Sequence, residues 1–367
     1  MIKVVQKWMN RYFAHEEAVI LLFLSVLGFG LILTMGDILA PIIASVVLAF
    51  MIQGIVSWLT RHGAPQWLAL AFGFALFIGI FAVVLLVLLP LVWTQLRNLL
   101  ADLPRIVDTI RDSVLLLPDR YPGIINEQQL TNLLQSISSE LGKFGQTVFS
   151  YSISHLPGAI GLAVYIVIIP ILVFFMLKDR EQIMRWLANL LPADRPQMSR
   201  IWREMDIQLA NYVRGKGLEI LIVGGVSVMT FWAFGLRYSL LLGFLVGISV
   251  IIPYVGAVVV TVPVAIVAFV QWGIGPDFAY LLVAYLIIQI LDGNVLVPFV
   301  FSEANALHPV AIILAVLLFG SLWGVWGAFF AIPLATLVKA TMNAWPRSVE
   351  SDALRNPPTA AGSDIQP

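Results

Sequence analysis

Cysteine is absent from the 367-residue chain, which excludes disulfides, thiolate metal sites and cysteine nucleophiles. Charge is scarce as well, at 11% of residues, where about 25% is usual for a soluble domain. It also has no net sign, with 21 basic and 21 acidic residues. No basic excess points to nucleic acid, and the molecule has no overall field with which to steer a charged partner. The four histidines, His15, His62, His155 and His308, never fall at the i,i+4 spacing of a helical zinc site. There is no H-E-x-x-H, no G-x-S-x-G and no Gly-rich phosphate loop ending in Lys-Ser/Thr. An intramembrane aspartyl protease needs two facing carboxylates, and Asp292 has no obvious second aspartate to face. The chain reads as a non-enzyme without cofactor or metal. It encodes no ATP drive, so any transport it performs is passive, gradient-coupled or powered by a partner.

What is abundant is apolar surface. Hydrophobic residues make up 60% of the chain, and the mean hydropathy is +0.94. Even a ~300-residue soluble domain buries only about 75% of its unfolded surface, so such a composition requires a bilayer. The apolar runs are continuous rather than alternating, which selects helices over an outer-membrane barrel. The expected class is an all-α polytopic membrane protein with about six spans: Ala18–Met35, Ile38–Leu59, Trp67–Trp93, Leu156–Leu177, Leu218–Leu236 and Phe278–Phe301.

Two further runs, Ser239–Trp272 and His308–Thr341, are 34 residues each. One straight helix of that length would reach ~51 Å, well beyond a ~30 Å hydrocarbon core. Both are punctuated near the middle, by Ile252-Pro253-Tyr254-Val255-Gly256 and by Gly320-Ser321-Leu322-Trp323-Gly324. The expectation is two broken, re-entrant hairpins; two short, tilted full spans each are the alternative. With the N-terminus inside, Lys and Arg divide 15 inside to 6 outside, which obeys the positive-inside rule. Both termini are then cytoplasmic, and the hairpins enter from opposite faces. A faint repeat accompanies this: Gly256-Ala257 precedes Pro263-Val264-Ala265 much as Gly327-Ala328 precedes Pro333-Leu334-Ala335.

The resulting organisation is spans 1–3 over residues 1–93, an extracytoplasmic amphipathic insert over 94–155 and span 4 over 156–177. A cytoplasmic insert over 178–217 follows, then a membrane core over 218–345 and a disordered tail over 346–367. The outer insert carries two apolar stripes at helical spacing, Leu96 to Leu117 and Leu130 to Val148. The inner one carries Met198, Ile201, Trp202, Met205, Leu209 and Tyr212. Such stripes pack on each other, lie along headgroups or join subunits.

Six charged residues lie between Leu218 and Ala340. Arg237, Asp277, Glu303 and Lys339 sit near expected boundaries or links. Asp292 is embedded in a span, where a charge costs at least ~2.5–3.5 kcal/mol on insertion scales. It opens Asp292-Gly293-Asn294, three residues after Gln289. Pro298 cannot donate to the carbonyl of Asn294, so the segment reads as an interrupted helix of the kind that lines a transport site. The competing role is a helix-to-helix hydrogen-bonding glue. Glu219 lies about a turn inside the cytoplasmic boundary with Lys216 three residues before it, either as a headgroup-level ion pair or as a gate. Gly243-x-x-x-Gly247 and Gly320-x-x-x-Gly324 suit close helix packing.

Ile252-Pro253-Tyr254-Val255-Gly256, Gln289 through Asp292-Gly293-Asn294 to Pro298, His308-Pro309, and Gly324 through Gly327 to Ala331-Ile332-Pro333-Leu334 resemble the autoinducer-2 exporter family, within it the PerM-type permeases. The motifs cover roughly residues 212–341; the N-terminal half fits in layout. One departure is Glu219, which stands where many relatives carry an uncharged polar residue, so a mechanism resting on it is not family-wide. The resemblance implies a bacterial inner-membrane transporter acting as a homo-oligomer. Members are linked to autoinducer-2 export, others to sodium or lithium/proton antiport, so the substrate does not follow from the fold.

Three functional readings result. The first is an exporter of a small polar solute, coupled to H+ or Na+. Its pathway would use Asp292, Asn294, Gln289 and Glu219, with breaks at Pro253, Tyr254, Gly256, Gly293, Pro298, Gly324, Gly327 and Pro333. The second is a sodium(lithium)/proton antiporter, and the third an oligomeric membrane scaffold that moves nothing.

Overall fold

The computed structural model describes residues 16–115, 159–189, 191, 196–301 and 307–344, with positions 139 and 143 in isolation. All regular structure among them is helical. Among the described residues, six helices are long and apolar enough to cross a membrane: Ile38–Arg61, Gln66–Ser113, Ile201–Ala233, Val255–Trp272, Pro276–Val300 and Pro309–Phe329. The second outer stripe, the 302–305 link, the tail and the N-terminal basic residues fall outside the described residues.

Helix α1 runs from Glu16 to Arg61 as two helical segments that meet at a kink at Met35 (φ −124°, ψ 21°). The turn expected between them is this kink. After a tight turn at Gly63 (φ 93°), α2 (Gln66–Val83) passes through a π-helical turn, Val84–Leu88, into α3 (Leu89–Leu115). The first outer stripe is therefore a continuation of the third span rather than a separate helix. Helix α4 (Ala159–Lys178) and the short α5 (Arg180–Asn189) follow. Helix α6 (Pro196–Ala233) merges the inner stripe with the fifth span.

The rest of the fold is arranged around α6. Helices α7 (Ser239–Ser249) and α8 (Val255–Trp272) form one hairpin. Helix α9 (Pro276–Leu291) continues through a second π turn, Asp292–Leu296, into α10 (Val297–Phe301). Helices α11 (Pro309–Phe329) and α12 (Ala331–Ala344) form the second hairpin. Its reversal lies inside α11, where Trp323 and Gly324 leave helical geometry and Gly324 takes φ 59°. Helix α6 packs on α1, α7, α9, α10 and α12.

Three apolar clusters hold these elements. One joins α6 to α7, α8 and α9 around Phe231, Leu242, Val264 and Tyr285. A second joins α6 to both arms of the second hairpin through Tyr212, Val213, Phe319 and Ala331. The third packs α1 on α2 and α4 through Ile52, Phe77 and Val173. The Gly-x-x-x-Gly pair of α7 serves close packing as expected: a Cβ on Gly247 would lie 2.9 Å from the Gly224 Cα of α6.

Both π turns end two residues before a proline, Pro90 in one case and Pro298 in the other. A proline cannot donate to the carbonyl four residues back, and its ring clashes there. Widening the preceding turn relieves both problems, as the Leu89 and Val297 amides reach carbonyls five residues back, on Val84 and Asp292. The helix at Asp292-Gly293-Asn294 is thus widened and not interrupted, which corrects the expected break. Such bulges recur at functional sites.

Candidate functional site: two hairpin tips on one helix

The first hairpin returns to the end from which it starts. Gln271, at the close of α8, accepts from the Arg237 amide (2.8 Å) and donates to the Gly235 carbonyl (2.8 Å), clamping base to base. The start of α7 has no cap of its own: Tyr238 adopts left-handed geometry (φ 58°) with no capping bond. Gln95 of α3 supplies the missing acceptor to the Leu241 amide (2.8 Å). Tyr238 donates its hydroxyl to Asp102; burial, with Asp102 alongside, pushes this phenol up to about 12.

At its tip, α7 ends at Val250 and the chain turns through Pro253 and Tyr254 (φ 62°). Gly256 then packs so tightly against the Ser249 carbonyl that a Cβ has no room. The second hairpin repeats the device, with Gly324 at positive φ and Gly327 against the Phe319 carbonyl. The faint repeat in the sequence therefore falls on corresponding contacts in the two hairpins.

A helix end inside an apolar core leaves carbonyls without partners, and α6 supplies donors to both hairpins. Lys216 Nζ donates to the Val250 carbonyl (2.7 Å). Tyr212 Oη, one turn earlier, donates to the Phe329 carbonyl (2.6 Å). Between them Arg214 Nε donates to the Phe50 carbonyl of α1 (3.1 Å). Helix α1 runs antiparallel to α6, with Gly54 against Arg214 and Met51 against Gly217. Gly36, earlier on α1, lies beside Trp323 in the second tip. The second hairpin thus points along α6 toward Ala233, while the first points from that end toward Lys216. The two are opposed along α6, and Ile251 and Ile252 of the first tip pack on the cluster that joins Tyr212 to the second hairpin.

The charged groups collect beside the first tip. Lys216 is 4% exposed and Glu219 2%, and they pair at 2.8 Å from Nζ to Oε2 and 3.0 Å to Oε1. The pair lies in the protein interior. Asp292, at the head of the second π turn, is close enough to interact electrostatically with both. Its Oδ1 is buried with no hydrogen-bond partner, and Glu219 Oε2 has only the ionic contact.

The other expected site residues divide. Gln289 donates to Tyr285 Oη (2.8 Å), which lies 3.0 Å from Thr261 Oγ1, forming a polar chain from α9 to α8. Asn294 is exposed and bonds back to the Ile290 carbonyl (2.9 Å). Pro298 sets the π turn beneath Asp292, and Gly293 is open to its surroundings. Pro333 lies within α12, beyond the second tip. Four contributors escaped the sequence reading: Lys216 as a ligand of the first tip, Tyr212 as that of the second, Tyr285 and Thr261. The i,i+4 spacing of Tyr212 and Lys216 at the entrance to a span was the available signal.

Residues 4–347 match the model of the AI-2E family transporters. The chain belongs to that family. It is 43% identical over 346 residues to "Putative permease PerM" of Escherichia coli strain K12, covering 94% of this chain and 98% of that one. It is also similar to two Bacillus subtilis proteins. One is "Putative transport protein YrrI", 28% identical and covering 84% of this chain and 87% of the relative. The other is "Putative transport protein YueF", 30% identical and covering 82% of each. As an AI-2E family member the chain is a multi-pass membrane protein of a transporter family, and its opposed hairpins are the geometry this member presents.

Proposed function

We infer that the chain is a secondary transporter of the inner membrane that exports a small polar solute with ion coupling, and that its pathway passes between the two hairpin tips. The observation that carries this reading is the cluster of Lys216, Glu219 and Asp292 beside the first tip. Charges so placed are costly, and in membrane proteins they line cavities or ion paths. Opposed hairpins with irregular backbone around such a site are an architecture of transporter binding sites. The hairpins are re-entrant from opposite faces, and both termini are cytoplasmic.

Asp292 holds the solute hydroxyls or the coupling cation through its unpartnered oxygen. Asp292→Asn, reconstituted in vesicles, abolishes solute flux while the protein still assembles; normal flux in that variant refutes the assignment. Because the chain has no native cysteine, Asn294→Cys can be probed with a membrane-impermeant thiol reagent. Labelling that shifts with an ion gradient places water beside the π turn. No labelling from either side of an assembled protein moves the weight to the scaffold reading.

Sodium(lithium)/proton exchange is the second reading. It is favoured by two carboxylates sharing one lysine, with Glu219 Oε2 and Asp292 Oδ1 lacking hydrogen bonds. It predicts sodium-dependent proton movement in vesicles without any organic solute.

A further inference from the structure

Away from the hairpin tips, α1, α4, α5 and the first half of α6 enclose a partly open cavity of about 390 Å³. Its walls are apolar, including Val46, Phe50, Leu177 and the three methionines Met176, Met184 and Met205. Methionine surfaces adapt to flexible apolar chains. The volume falls within the range of small-molecule sites, roughly 300–1,000 Å³.

The cavity has a charged side. Arg180 and Asp206 both line it, with Arg180 Nη2 2.9 Å from Asp206 Oδ2. Arg214, one face of α6 further on, interacts electrostatically with Arg180, Arg61 and Asp206 together. Arg61 and Arg214 lie outside the lining, so the excess of three arginines over one aspartate sits beside the Arg180–Asp206 pair at the mouth and not within the cavity. Trp202 also lines the cavity and is 58% exposed, as suits an indole seated at headgroup level.

An apolar cavity alone would not name its occupant, but the pairing with a net positive mouth in a membrane protein does. A neutral amphiphile would leave the excess arginine charge unused, and a small anion would leave the apolar walls uncovered. We propose that this cavity holds one acyl chain of an anionic phospholipid, with the headgroup phosphate drawn to Arg61, Arg180 and Arg214. The lipid lies along the first half of α6, so it bears on the same helix that carries Tyr212 and Lys216. The site does not rest on the transport reading and is tested without measuring flux.

The full chain is delipidated in detergent and then incubated with phosphatidylglycerol or phosphatidylcholine bearing a photoreactive group on the acyl chain. Adducts are mapped by mass spectrometry after irradiation. The expected result is adducts concentrated on α5 and α6, at Met184 and Met205. Phosphatidylglycerol labels on the order of tenfold more than phosphatidylcholine, as two net basic charges near a headgroup imply. Arg61→Gln removes an exposed charge without touching the Arg180–Asp206 pair, and lowers that preference about fivefold. Adducts scattered over the exposed spans overturn the site. Equal labelling by both lipids overturns the anionic headgroup. Displacement by a single-chain fatty acid at equal concentration overturns the phospholipid in favour of a soluble amphiphile.

Discussion

Lys216 serves two acceptors at once, a carboxylate three residues ahead and a carbonyl thirty-four residues ahead. Its removal therefore has two separable consequences. Lys216→Met leaves Glu219 dry and uncompensated, which costs about 3–5 kcal/mol and lowers the thermal midpoint of the detergent-solubilised protein. Lys216→Met with Glu219→Leu recovers most of that loss, because no buried charge is then stranded. A double variant as unstable as the single one would mean that the Val250 carbonyl dominates the role of Lys216. Tyr212→Phe strands the neutral Phe329 carbonyl and costs less, about 1–3 kcal/mol. At this scale the sequence displayed the Lys216–Glu219 spacing but not its depth. A pair three residues apart looks the same at a headgroup as in a core, and what buries it is packing by hairpins that arrive later in the chain. The carbonyl partners were illegible for the same reason: backbone acceptors carry no side-chain signature.

Among the elements, the hairpins were readable because proline and glycine are the only residues that mark a reversal inside an apolar run. Gly256 and Gly327 each face a carbonyl across their own hairpin. Gly256→Ala and Gly327→Ala are expected to abolish the folded protein, whereas Gly225→Ala, with open space around it, retains the thermal midpoint. Equal tolerance of all three, measured by size-exclusion yield and melting, would contradict the tight turns. The π turns were not readable as such. Pro298 announced a lost hydrogen bond, but the choice between breaking and widening the helix depends on what packs around it. In Pro298→Ala the constraint is gone and the turn can tighten to α geometry. Asp292 then rotates relative to the residues beyond it, and flux falls while stability is kept or raised; unchanged flux in a stabilised variant would make the π turn incidental to the site.

For the whole molecule, the fold class followed from composition, since so little charge and so much apolar surface leave no soluble solution. Which helices do the spanning was less legible: the two expected first spans meet at a kink within α1, and Val255–Trp272 and Pro309–Phe329 are also long and apolar enough to count as spans. The bases of the first hairpin are clamped together through Gln271, so Ile274, 87% exposed just beyond it, belongs to the same side as Arg237. The proposed topology, with both termini cytoplasmic, has Arg61 on the other side. Arg61→Cys and Ile274→Cys, made singly in the cysteine-free chain, should react with an impermeant thiol reagent from opposite sides of the membrane. Reaction of both from one side would overturn this topology.

Tyr212 and Lys216 stand one helical turn apart on a single rod, and this makes α6 a ruler. Its divisions are about 5.4 Å apart, and each hairpin is indexed to its own mark, the Val250 carbonyl to an ammonium and the Phe329 carbonyl to a phenol. Set one division out in one sense, Val250 would face the hydrocarbon of Ile220 and lose its donor. Set one division out in the other, it would exchange a cation for a neutral group. The spacing thus fixes the register of both hairpins on the rod that joins them.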